Sequence, residues 1–132
     1  MRRRLFLALL ALAATPGVLH AADDDKKKKA GGPDYIGIDT LTGTTNKPNG
    51  RRGVLTVECG LNVPNGDLRE KAKELLPVLR AAYVQTVIVY AAGLPFDAVP
   101  NADYLEMTMQ RQTDEILGQP GARFLVGAIL VN

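Results

Sequence analysis

The sequence predicts an α+β domain with element order β-β-α-α-β, a small antiparallel sheet packed against two helices. Three observations lead there. Residues 55–63 alternate strictly, with Leu55, Val57, Cys59, Leu61 and Val63 on one side and Thr56, Glu58, Gly60 and Asn62 on the other, which is the two-residue period of a half-buried strand. Residues 67–92 and 102–117 change to helical spacing, with apolar residues recurring every three or four positions. Residues 123–131 then return to a continuous apolar run of strand length. Strands on either side of a block of helices put those helices on an antiparallel sheet.

The chain opens with a leader. Arg2, Arg3 and Arg4 precede an unbroken apolar run, Leu5 to Ala14, followed by Pro16-Gly17 and by alanines at 21 and 22. A membrane-crossing helix needs roughly 20 apolar residues, so the run is short for one, and residues 1–22 read as a secretory signal peptide. Cleavage is expected after Ala21 or Ala22, with Leu19 or His20 where a small residue usually stands three positions before the cut; an uncleaved leader would act as an anchor. Within it, Arg3, Arg4, Phe6 and Leu7 match the R-R-x-F-L core of twin-arginine export signals. An ordinary arginine-rich secretory signal is the alternative, and both routes lead to the periplasm of a bacterium. Residues 23–34 follow as a charged flexible linker, because Asp23–Asp25 and Lys26–Lys29 have only alanine, glycine and proline around them and nothing to bury.

Removing the leader changes the chemistry on offer. The whole chain carries +2, of which the three arginines supply +3, leaving about −1. No basic stripe is left to track a nucleic-acid backbone, and nucleic acid is excluded as a partner. His20 is the one histidine and Cys59 the one cysteine. The exported part therefore has no imidazole for general-base, nucleophile-activating or zinc chemistry, and no internal disulfide. No calcium-loop or phosphate-cradling motif occurs either. Neither a cofactor nor a catalytic residue is expected.

The remaining residues, 35–132, form one domain. Tyr35–Thr42 is rich in β-branched residues, and Asn46-Lys47-Pro48-Asn49-Gly50 supplies turn chemistry, so this segment and the alternating run form a hairpin. Alternation points Cys59 inward with four aliphatic neighbours and no cation on its own face, as a small hydrophobe rather than a nucleophile. After Pro64-Asn65-Gly66, an amphipathic helix begins, capped by Asn65 or Asp67, with Leu68, Ala72, Leu75 and Leu79 inward. Pro77 is expected to kink it, and Ala82, Tyr83, Thr86 and Tyr90 to extend the inward stripe to Ala92. Residues 84–90 have strand-like composition but are read as helix. The loop 93–100 leads to Asn101, cap of a helix from Ala102 to Leu117 with Leu105, Met109, Gln112 and Ile116 inward, stopped by Gly118. Met107 and Met109 read as core filling. The last strand is expected to be covered on both faces.

The stretch "RGVLTVECGLNVPNGDLREKAKELLPVLRAAYVQTV", with "RFLVGAILVN" at the end, resembles the periplasmic domain of the flagellar basal-body-associated FliL family. There a hairpin strand leads into a leucine-rich helix, and a terminal hydrophobic strand completes the sheet. The stretch from Pro100 to Asn132 is also similar to small exported alphaproteobacterial proteins with twin-arginine signals. The resemblance covers about residues 51–132 and implies a non-enzymatic domain that works by protein–protein association around the flagellar motor, with no catalytic residue to carry over. FliL proteins are tethered to the inner membrane by one N-terminal helix, whereas this leader is short and looks cleavable.

Three functional readings follow. The first is a FliL-like periplasmic protein, inner-membrane tethered if the leader stays uncleaved, that binds protein partners or itself through the outer sides of helix 67–92 or of the second helix. The second is a small periplasmic ligand- or peptide-binding module around the loop 93–100, with Phe96, Tyr90 and Tyr104 as pocket walls. The third is a carboxylate enzyme using Glu58, Asp97 or Asp103.

Overall fold

A computed structural model describes residues 31–132. The leader residues Arg3, Arg4, Phe6, Leu7, Ala21 and Ala22 and most of the expected linker lie outside the described residues. Strand β1 (Tyr35–Asn46) and strand β2 (Arg52–Asn62) form the expected hairpin, antiparallel from Tyr35↔Asn62 to Asn46↔Arg52. The turn closes through a short 3-10 segment, Pro48–Gly50, with Asn49 and Gly50 both at positive φ, which glycine and asparagine tolerate best. Asp34, last residue of the expected linker, is held to the domain: its carboxylate pairs with Arg69 at 2.9 Å, and its carbonyl accepts from the Val63 N–H at 2.8 Å.

On β2 the alternation holds. Leu55, Val57, Leu61 and Val63 are fully buried and Cys59 nearly so, while Glu58 is exposed on the other side. Gly60 is the exception on that outer side: the Tyr35 ring lies over it where a β-carbon would stand.

The helical region is built from three helices. The predicted helix 67–92 is divided into α1 (Gly66–Glu74) and α2 (Leu76–Gly93), with α3 (Ala102–Leu117) after the loop, so the order is β-β-α-α-α-β. The break is at Leu75, not within a continuous helix kinked at Pro77. Pro77 stands in the first turn of α2, where its missing N–H costs nothing; in a continuous helix its ring would meet the carbonyl of Lys73. Leu75 closes α1 by donating its N–H to the Lys71 carbonyl at 3.0 Å.

Restarting the helix also resets its phase. The fully buried residues of α2 are Leu79, Tyr83, Val87 and Ala91, while Ala82, Thr86 and Tyr90, expected inward beside Tyr83, are half-buried at the margin. On α3 they are Leu105, Met109, Thr113 and Leu117, with Gln112 and Ile116 half-buried at the margin. The caps follow the sequence reading. Asn65 Oδ1 accepts from the Leu68 N–H at 2.9 Å, Asn101 Oδ1 accepts from the Tyr104 N–H at 3.0 Å, and Gly118 ends α3 in the left-handed region.

Strand β3 (Arg123–Val131) pairs antiparallel with β2, giving the sheet order β1-β2-β3. It is not covered on both faces: it is an edge strand with Leu130 60% exposed and Val131 also exposed. The helices pack on one face of a three-stranded sheet, so an apolar sequence here coexists with an open side. The edge is closed at its start, where the Phe124 N–H donates to Gln110 Oε1 at 2.7 Å and Gln110 Nε2 donates to the Ala122 carbonyl at 2.8 Å.

The core lies between sheet and helices. Tyr83 from α2 and Phe124 from β3 are both fully buried, with ring centroids 5.0 Å apart and planes tilted by 60°. The Tyr83 hydroxyl is within 2.5 Å of Thr113 Oγ1, which donates to the Met109 carbonyl at 2.7 Å, so these two buried hydroxyls between α2 and α3 are partnered, whereas Arg80 Nε on α2 and Gln112 Oε1 on α3 are buried without a partner. Gly43 lets β1 and α2 come together. A β-carbon there would lie 2.8 Å from both the Val87 carbonyl oxygen and Ala91 Cβ.

Candidate functional site

The residues nominated from the sequence are placed apart by the fold. Glu58 projects from the outer side of β2, Asp97 stands in the loop before α3 at a φ of 62°, and Asp103 lies in the first turn of α3. Each lines a different surface depression, so no two of them share a site. Among the described residues, no three histidine, cysteine, aspartate or glutamate side chains gather as a metal-binding group.

Cys59 is buried, and burial pushes its thiol up to about 11. A cation does approach it, Arg80 of α2, which acts in the opposite direction but more weakly than burial. A thiol with that value is ionised in about one molecule in a thousand at pH 8. We expect a disulfide reagent at pH 8 to label Cys59 fully only after denaturation; rapid stoichiometric labelling of the native protein would contradict the burial. Because the folded pKa is above the unfolded one, the neutral thiol contributes stability below about pH 9, and this is lost as pH rises toward 11. Tyr83, raised to about 12 chiefly by burial, acts in the same direction at still higher pH. Urea denaturation at pH 8 and pH 11 should therefore show a lower midpoint at pH 11.

The three aromatic residues around the loop 93–100 divide. Tyr90 and Tyr104 stack at 5.7 Å across the α2–α3 junction, and the Asn101 N–H donates to the Tyr90 hydroxyl at 2.7 Å, with Tyr104 still 52% exposed. Phe96 faces a separate cavity of about 330 Å³ with Thr45, Asn46, Lys47, Asp97 and Asn132 among its walls. That volume is at the small end for ligand pockets.

The outer side of α2 is the unusual surface. A helix on a protein surface normally sets polar residues opposite its buried stripe. α1 does so with Asp67, Glu70, Lys71, Lys73 and Glu74, and α3 exposes Asp103, Arg111 and Glu115. α2 instead places Val78, Ala81, Ala82, Gln85, Ile88, Val89 and Ala92 opposite its buried stripe, a face with no charged residue. Val78 is 52%, Ile88 45% and Val89 61% exposed. By length and composition, α2 is apolar enough to cross a membrane. Leu79, Tyr83, Val87 and Ala91 pack in the core, and Val78, Ile88 and Val89 on the outer side stay exposed. A groove of about 500 Å³ flanks it, with Thr42, Thr44, Arg52 and Val54 opposite Ile88 and Ala92.

The sequence reading named helix 67–92 as a contact side but missed these seven residues as a stripe. Their spacing was visible; which apolar side of α2 turns inward was not. The chain matches no protein-family model and no curated protein.

Proposed function

We propose that this chain is an exported, non-enzymatic periplasmic protein that acts by associating with protein surfaces, in the manner of the FliL family it resembles and with a role at the flagellar basal body. The observation that carries this reading is the uncharged outer face of α2, where three large aliphatic side chains stand exposed on one stripe. Exposing such a stripe to water is unfavourable by roughly 25 cal/mol per Å², so contiguous apolar surface of this kind marks an interaction site. The buried, neutral thiol of Cys59 and the scattered carboxylates argue in the same direction, since they leave surfaces rather than reactive groups as the means of action.

The test is the state of the native protein in a periplasmic extract. We expect it to elute well above the mass of a single chain, 14.2 kDa with the leader included; elution as a free monomer, with no complex retained, would refute association. The alternative reading, a small ligand- or peptide-binding module, is supported by the cavity beside Phe96, whose walls include neither Tyr90 nor Tyr104.

A further inference from the structure

We infer that the outer face of α2 is the seat of a two-fold homodimer, in which α2 packs antiparallel against α2 of a second copy with Gln85 on the axis. This rests on the association reading above and names the partner.

The argument is in the spacing of the stripe. Val78 and Ala92 lie seven residues on either side of Gln85, Ala81 and Val89 four, and Ala82 and Ile88 three. An antiparallel two-fold at Gln85 therefore sets each residue against the one at the mirrored offset. Val78 meets the partner's Ala92, Ala81 the partner's Val89, and Ala82 the partner's Ile88. Every bulky side chain opposes an alanine, so each knob has a hole and the backbones approach closely. A parallel pairing would set Val78, Ile88 and Val89 against their own copies and the alanines against alanines, giving clashes and gaps along the same face. Antiparallel packing also opposes the helix dipoles.

The single polar residue fits the same axis. Gln85 has one amide donor group and one carbonyl acceptor, and across a two-fold each can donate to the other. One polar residue at the centre of an apolar helix seam fixes register, as in coiled coils. The absence of charge removes both like-charge repulsion across the axis and the means of selecting a charged partner. Such an interface is isologous, with the same patch serving both copies. The stripe is about 21 Å long at 1.5 Å per residue. With a helix about 10 Å across, two such stripes make a narrow contact at or below the lower end for specific association, so the dimer is weak and the groove beside Ile88 and Ala92 joins its margin.

Sedimentation equilibrium of the full chain tests this, together with Val89→Glu, Gln85→Cys and Val78→Cys. Val89 is 61% exposed, so its glutamate variant should keep the wild-type thermal midpoint at concentrations too dilute for the dimer while weakening dimerisation at least tenfold. At an interaxial distance of 8–10 Å, the Cα atoms of paired residues 85 come within disulfide range, so Gln85→Cys should cross-link as a dimer on mild oxidation and Val78→Cys should not. Equal cross-linking through Val78→Cys would overturn the antiparallel two-fold. A wild-type dimer that survives Val89→Glu would overturn the surface assignment and leave association standing. A wild-type monomer that is still recovered in a larger native complex would overturn this inference alone; a monomer with no complex would overturn the association reading as well. Binding of a monomer to phosphatidylglycerol vesicles, abolished by Val89→Glu, would assign the face to lipid and also refute the dimer.

Discussion

Phe124→Ala is expected to lower the stability of the domain by about 3–5 kcal/mol, the range for truncating a fully buried aromatic. Phe124 is the largest side chain that β3 contributes to the interior, and it packs against Tyr83 with ring centroids 5.0 Å apart. Its loss removes the aromatic contact and leaves a void between β3 and α2 that the partnered Tyr83 hydroxyl prevents the ring from closing. For a domain of this size each kcal/mol shifts the midpoint by about 4–8 °C, so thermal denaturation should show a fall of roughly 12–40 °C. Phe124→Leu, which keeps most of the volume, should cost about 1–1.5 kcal/mol. A fall of less than about 1 kcal/mol for the alanine variant would mean that β3 is not anchored through this residue.

Gly43→Ala is the second large effect, and its sign is opposite to what chain entropy alone suggests. Replacing glycine by alanine restricts the unfolded chain and stabilises by about 0.4–1 kcal/mol where the native site has room. Gly43 has none, because a new β-carbon would stand 2.8 Å from the Val87 carbonyl oxygen. That oxygen belongs to the backbone of α2 and moves only if the helix moves. Overpacking of this kind costs about 1–3 kcal/mol, and a net loss of about 1–2 kcal/mol in chemical denaturation is expected. Ala91→Gly removes one of the two contacts at 2.8 Å but itself costs about 1 kcal/mol inside a helix, so the relief should show as a favourable coupling energy between the two substitutions in a double-mutant cycle. Gly43→Ala with unchanged or increased stability would show that β1 and α2 are further apart than described. The variant also bears on association: displacing α2 from the sheet displaces the stripe on its outer side.

Much of the fold was legible in the sequence for a local reason. The alternation from Leu55 to Val63 can belong only to a strand with one buried face, and the structure buries those five residues as the pattern requires. Asn65, Asn101 and Gly118 act at helix ends because their side chains or backbone freedom suit a single position there. Ala82, Thr86 and Tyr90, assigned inward, are half-buried at the margin of the stripe and not at its centre, because the assignment carries the spacing of α1 across Pro77 as if one helix continued. Once α2 restarts at Leu76 its phase is independent of α1, and Val87 and Ala91 take the inward positions.

The candidate surface was legible only in part. A helix apolar on every side has no preferred inward direction in its own sequence. Leu79–Tyr83–Val87–Ala91 and Val78–Ala82–Val89 are both plausible core stripes until the sheet selects one. Contact with β1 through Gly43 selects the first, and the second is left facing out.

The sequence by itself determined the kind of each element, its capping, the inward position of Cys59 and the lack of imidazole after His20, because each depends on residue identity and on spacing within one segment. Only the tertiary structure decided that β3 lies at an edge, that α1 and α2 are separate, and that α2 turns an uncharged stripe to the outside. Those features depend on which surfaces meet, and surfaces that are apolar on both sides carry no local signal of which side is covered.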